Sequence, residues 1–251
     1  MYTVIESYSH ANDFTIERIV IPRGVKIVDD FAFFMCGNAK TIEIPDTVEI
    51  IGDNAFSKCY SLEEIYFPDS VKRIGVDVCH RNFNLKHARL PNGIKVVNKE
   101  MFSKCFNLSS VIIPDSVEKI DDNAFAFCSS LSNIKWPSRL KEIGESAFGG
   151  CPLTELILPE SLEKIGYTAF NLCCGLKNVV LPKNVKYIGL EAFEECINLS
   201  SIVIPENVDE IRMHTFFKCH NLEYVRIMNK CCKINETAFK QCEKLYNIVC
   251  D

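Results

Sequence analysis

Proline returns along this chain at a nearly fixed interval, and no other feature constrains its fold so tightly. Pro22, Pro45, Pro68, Pro91, Pro114 and Pro137 stand 23 residues apart, Pro159 follows after 22, and Pro182 and Pro205 resume the interval of 23, with Met228 in the next slot. Each proline keeps the same company, as in Ile44-Pro45-Asp46-Thr47-Val48-Glu49-Ile50-Ile51-Gly52-Asp53-Asn54-Ala55-Phe56-Ser57-Lys58-Cys59-Tyr60-Ser61-Leu62. A unit this short cannot enclose a core. It buries its apolar face against the copies before and after it, so a fixed period of this size dictates a solenoid. The period runs from about Ile16 to Cys250 without a linker. That predicts one elongated domain over residues 1–251, with an N-terminal cap over 1–15 and about ten coils over 16–251.

Within a unit the form is Leu-x-x-Ile-x-Ile-Pro-x-x-Val-x-x-Ile-Gly-x-x-Ala-Phe-x-x-Cys-x-x. Leu62, Ile65 and Phe67 against Glu64 and Tyr66 read as a short strand with one apolar face. Pro68 ends it, because proline has no N–H to give a ladder, and Asp69-Ser70 supplies turn chemistry. Val71 and Ile74 then point inward. Gly52, Gly75, Asn98, Asp121, Gly144, Gly166, Gly189 and Asn235 follow the isoleucine slot, and their shared tolerance of positive φ predicts a left-handed residue there. Arg212 is the exception. Ala-Phe is expected to open a short helical or 3₁₀ turn. Its phenylalanines form a ladder at Phe33, Phe56, Phe102, Phe125, Phe148, Phe170, Phe193, Phe216 and Phe239, interrupted by Cys79.

Nine of the 14 cysteines stand three residues after that ladder: Cys36, Cys59, Cys105, Cys128, Cys151, Cys173, Cys196, Cys219 and Cys242. Equivalent atoms in stacked coils lie roughly 4.8 Å apart and point the same way, whereas a disulfide needs Cβ atoms near 3.8 Å and turned together. The ladder is therefore expected to be free, buried thiols packed as small hydrophobes. Cys231, Cys232, Cys242 and Cys250 cluster in sequence at the end of the chain but contain no C-x-x-C pair. Cys231, Cys242 and Cys250 fall on inward slots, so they read as core rather than as a zinc site. Cys174 reads as a surface thiol.

Pro114-Asp115-Ser116-Val117, Ile143-Gly144-Glu145-Ser146-Ala147-Phe148 and Phe193-Glu194-Glu195-Cys196-Ile197-Asn198-Leu199 resemble the BspA-like leucine-rich repeat, and the resemblance covers nearly the whole chain. It implies a right-handed solenoid with a parallel sheet on its concave side. It also implies a protein of the bacterial or protist surface type, linked to adhesion to other proteins. Three departures stand out: Cys79 and Asn82 replace the Phe and Cys of one coil, one residue is missing near Cys151-Pro152-Leu153, and Cys231-Cys232 intrude in the last coil.

A net charge of -5 leaves no basic field for a phosphate backbone, so nucleic acid is not an expected partner. No apolar run reaches the roughly 20 residues of a membrane-spanning helix, and Met1–Ser7 lacks the charged start of a signal peptide. The five histidines fall in no catalytic or metal motif; His87, one coil from Glu64, reads as a solvated pair. No enzyme, cofactor or metal is expected. The outward column of the concave strands is the informative surface: Val20, Glu43, Tyr66, Arg89, Ile112, Lys135, Ile157, Val180, Val203, Arg226 and Val249, flanked by Glu64, Asn178, Ser201 and Tyr224. Tyr66, Arg89, Ile112, Lys135, Ile157, Val180, Val203, Tyr224 and Arg226 are the residues expected to meet a protein partner. The aliphatic run Ile157, Val180, Val203 with a polar rim carries that reading. A self-associating scaffold is the alternative, with contacts through Tyr246 and Val249 of the last coil.

Overall fold

A computed structural model describes residues 3–251. The chain winds as a parallel β-solenoid of about eleven turns. Each turn has three sides. The concave side is built from Arg18–Val20, Thr41–Glu43, Glu64–Tyr66, His87–Arg89, Ser110–Ile112, Glu155–Ile157, Asn178–Val180, Ser201–Ile204, Tyr224–Ile227 and Asn247–Cys250. Paired strands run parallel with partners one repeat apart, as in Ile65 with Ala88 and Val111 with Ala88. The alternation read from sequence is obeyed: Ile65 and Phe67 are fully buried while Tyr66 between them is half exposed.

The second side is a β-ladder too, of two-residue strands such as Ile50–Ile51, Arg73–Ile74 and Val96–Val97. Its inward residues Val28, Ile51, Val97 and Ile120 are sealed from solvent. Val4–Ile5 joins this ladder against Ile27–Val28, and His10 stacks on Phe33 at 4.9 Å. The N-terminal segment is thus a degenerate coil in register with the rest. Outward lysines and glutamates pair along this side, as in Lys26–Glu49–Lys72 and Lys95–Glu118–Lys141. Hydrogen bonds from these lysines hold the Glu49 and Glu118 carboxyls down to about 2. At such exposure their contribution lies in register more than in stability.

The third side corrects the expectation of helical turns, since the described residues contain no helix. It is a run of overlapping three-residue turns, Ala32 N to Asp29 O and Phe34 N to Phe31 O, interleaved with bonds to the next coil, Phe31 N to Asp53 O and Phe33 N to Ala55 O. Consecutive N–H groups alternate between the two partners, and residues four apart on this side take positive φ, among them Phe31 and Met35, Asn54 and Lys58, Asp77 and Arg81, and Asn123 and Phe127.

The expected left-handed slot is therefore corrected as well: Gly52, Gly75, Asn98, Asp121, Gly144, Gly166, Gly189 and Asn235 are not among the positive-φ residues. The glycines are needed for close approach. A Cβ on Gly166 would stand 2.6 Å from the carbonyl carbon of Gly144 and 2.8 Å from the nitrogen of Glu145, both backbone atoms. In three coils the freed space admits an aspartate of the previous coil, whose Oδ1 accepts the following N–H: Asp30 from Asp53, Asp53 from Val76, and Asp122 from Glu145. Gly166→Ala is expected to lower stability by about 1–3 kcal/mol, as overpacking does, although alanine is otherwise unstrained there. An unchanged denaturation midpoint would refute the close-approach account.

The core is one column. Phe33–Phe56 and each neighbouring pair from Phe102 to Phe239 stack with ring centroids 5.2 to 5.8 Å apart. Cys79 leaves the gap between Phe56 and Phe102. Trp136, at the inward slot that holds Phe67, Leu90 and Ile113 in earlier coils, meets Phe148 and Phe170 edge-on. There the concave sheet is interrupted, and residues 132–136 form no strand.

All 14 cysteines are free. The ladder thiols do more than fill space. Each donates to a carbonyl of the previous coil: Cys59 to Phe33 at 3.4 Å, Cys105 to Cys79 at 3.1 Å, Cys128 to Phe102 at 3.2 Å, and so on to Cys242 with Phe216 at 3.0 Å. A buried carbonyl left bare is costly, so a small donor here has a physical purpose. Burial pushes the Cys36 thiol up to about 11 and those of Cys105 and Cys151 to about 12. Alkylation of the native protein should therefore label the exposed Cys174, Cys231 and Cys250 and spare the buried ladder. Mass spectrometry showing rapid native labelling at Cys128 or Cys196 would overturn this. Two slots need correcting. Cys250, expected inward, is exposed at the end of Asn247–Cys250. Cys231 is exposed and Cys232 packs on the core instead, because Asn229 Oδ1 takes the Cys231 N–H and shifts the turn by one residue.

Candidate interaction surface

The concave strands turn alternate side chains to solvent, and within each hydrogen-bonded group of strands the parallel register stacks them; Asn178–Val180 and Ser201–Ile204 lie side by side without a ladder between them. Ile157 and Val180 are direct partners across one strand pair. They are 67% and 56% exposed, and Val203 in the next coil is 48% exposed, so three consecutive coils present aliphatic carbon to water. Glu155, Asn178 and Ser201 lie exposed beside them, and the Asn178 amide donates to Glu155 at 3.4 Å. Ile112 and Val20 are further exposed aliphatics of the column.

The charged members behave differently from the aliphatic ones. Arg18 pairs with Glu43, Arg89 with Asp69 at 2.7 Å and Arg226 with Asp251. The Tyr66 hydroxyl donates to Glu64 at 2.9 Å, which raises its pKa. His87 and Glu64, one coil apart, form no ion pair among the described residues. Arg89 and Tyr224 are only partly exposed. Lys135, expected on an outward strand position, lies instead within the interruption of the sheet, exposed and without an ion pair among the described residues. The charges of the N-terminal half are thus largely satisfied within the chain, and the aliphatic stripe with Lys135 is what remains open to another molecule.

Sequence reasoning missed two features on the other faces. Tyr60, Phe83 and Phe106 stack at 5.1 Å in a second aromatic column. Asp77, His80 and Glu100 converge on the turn side. Tyr60, Phe83 and Phe106, and likewise Asp77 and Glu100, stand at offsets of 23, which matter only once the coils stack in register; His80 follows no such offset. At the far end Tyr246 is 75% exposed and Ile248, at an inward position, is exposed as well.

A stack of parallel coils, core inward and variable side chains along one concave sheet, defines a leucine-rich-repeat solenoid. Proteins of this fold are typical of protein–protein interaction and surface roles and are generally non-enzymatic. The model of the BspA type leucine rich repeat region matches residues 3–132 and 118–246 in six copies, and the chain belongs to that family. It is similar to a leucine-rich repeat protein from Bacteroides ovatus, at 27% identity and a TM-score of 0.62 over 98% of this chain and 82% of that one. It also shares its fold with the pneumococcal vaccine antigen PcpA, at 23% identity and a TM-score of 0.54 over 91% of this chain and 73% of the other. No curated protein sequence matches the chain. Among the described residues no helix is long and apolar enough to cross a membrane.

Proposed function

We propose that this chain is a non-enzymatic adhesion or interaction module that binds a protein partner on its concave sheet, with Ile157, Val180 and Val203 at the centre of the contact. The observation that carries the reading is the exposure of these three stacked aliphatics in consecutive coils, beside a polar rim. Tyr66, Arg89, Ile112, Lys135, Tyr224 and Arg226 extend the surface on either side. The matching partner presents an apolar segment along the sheet, with a carboxylate placed for Lys135. Such a surface suits the surface proteins of the family. The test is to compare partner capture by the intact chain with capture by a variant carrying Ile157→Asp and Val180→Asp at equal folded concentration; equal capture removes the concave sheet from the reading.

A further inference from the structure

The coil that holds Cys79 departs from the repeat at two core slots, and its departures lie together. Cys79 replaces the ladder phenylalanine and Asn82 the ladder cysteine. The aromatic column is broken there. The buried side-chain polar atoms without a hydrogen-bond partner concentrate in the same stretch: His80 Nδ1, Arg81 Nε and Asn82 Nδ2, with His220 Nδ1 elsewhere. Such atoms are rare in folded proteins and call for an occupant or a compensation.

Asp77 and Glu100 hold the same position in adjacent coils, so parallel stacking sets two carboxylates side by side with His80 against both. The His80 Nδ1 is 3.7 Å from Asp77 Oδ1 and 3.4 Å from Glu100 Oε2, and one ligand atom from each of the three lies within 4.8 Å of the others. All three are partly buried. For a tetrahedral ion with bonds of about 2.0–2.1 Å, neighbouring ligand atoms stand roughly 3.3 Å apart. The His80 spacings are close to that value. We propose that Asp77, His80 and Glu100 bind a divalent transition-metal cation, zinc or one of its neighbours in affinity, which clamps two coils where the ladders fail. One imidazole nitrogen and two carboxylate oxygens suit such an ion, and three protein ligands leave a coordination position for water.

The electrostatics agree. Burial, followed by the Glu100 charge, pushes the Asp77 carboxyl up to about 6, while burial holds the His80 imidazole below its ordinary value. Lys99 and Asp53 also face Asp77, and Arg81, Lys104 and Lys58 face His80. Two carboxylates and an imidazole held within 4.8 Å of one another leave the carboxylates repelling in the metal-free fold, and a cation between them relieves that repulsion.

Exposed and half-buried thiols would also take up zinc, so the test uses Co²⁺ and a full chain with Cys174, Cys231, Cys232 and Cys250 changed to serine. The expected result is one equivalent bound in calorimetry, an absorption spectrum without a sulfur-to-metal charge-transfer band, and a rise in melting temperature on adding Co²⁺. Glu100→Gln and His80→Gln should each weaken binding at least tenfold. Asp77→Asn should weaken binding likewise yet raise the melting temperature of the metal-free protein at pH 7, which separates loss of a ligand from loss of the fold. No Co²⁺ bound by the intact site, thiolate bands that persist, or affinity unchanged in Glu100→Gln and His80→Gln would each overturn the assignment.

Discussion

Phe125→Ala is expected to cost about 3–5 kcal/mol, the range for removing a large aromatic from a packed core. Phe125 is fully buried and stacks on both neighbours, at 5.4 Å to Phe102 and 5.2 Å to Phe148. Truncation leaves a void within the column, and the flanking coils cannot close on it without breaking the backbone ladders on all three sides. In a solenoid, stability is a sum of units and nearest-neighbour interfaces. The loss therefore removes two interfaces at once and should divide the array, giving a broadened denaturant transition. Phe239 tests the logic from the other direction, since it stacks on Phe216 and is half-buried. Phe239→Ala should cost far less. Equal effects at the two positions would show that the column does not act through stacked neighbours.

The second large effect is on binding. Ile157→Asp with Val180→Asp should leave the denaturation midpoint within roughly 1 kcal/mol of the parent, the usual range for exposed sites, while partner binding falls by about 100-fold or more. Fully burying an aliphatic side chain is worth roughly 1.5–3 kcal/mol, and these two are more than half exposed before binding. Together they account for about 3 kcal/mol, which is about a 100-fold change, before the added cost of burying two carboxylates. Leu156→Asp is the control, because Leu156 lies between Glu155 and Ile157 in the same strand and is fully buried. It should unfold its coil. A double variant that is as unstable as Leu156→Asp would mean that the faces are reversed, contrary to the exposure of Ile157 and Val180.

Chain order alone determined a great deal of this protein. A period of 23 with proline after each strand fixes parallel stacking, and alternation in stretches such as Glu64-Ile65-Tyr66-Phe67 assigns inward and outward side chains. The phenylalanine and cysteine ladders, and the outward run of Ile157, Val180 and Val203, follow from those two periodicities. They are legible because a local repeat, once stacked in register, places equal positions in line. Two-residue strands such as Ile50–Ile51 are too short to show a period, so the second ladder appears only in the folded chain.

Tertiary structure decided whatever depends on the neighbouring coil. The glycines answer to the backbone of the previous coil rather than to their own φ, the thiols to a carbonyl one coil back, and Arg89 and Arg226 to carboxylates that neutralise them. Trp136 meets two phenylalanines edge-on where residues 132–136 form no strand. The meeting of Asp77, His80 and Glu100 belongs to the same class, since residues of adjacent coils become neighbours only when the coils close to within a strand spacing. A repeat in sequence sets which residues share a column; the distance between coils, set by packing, decides which of them interact.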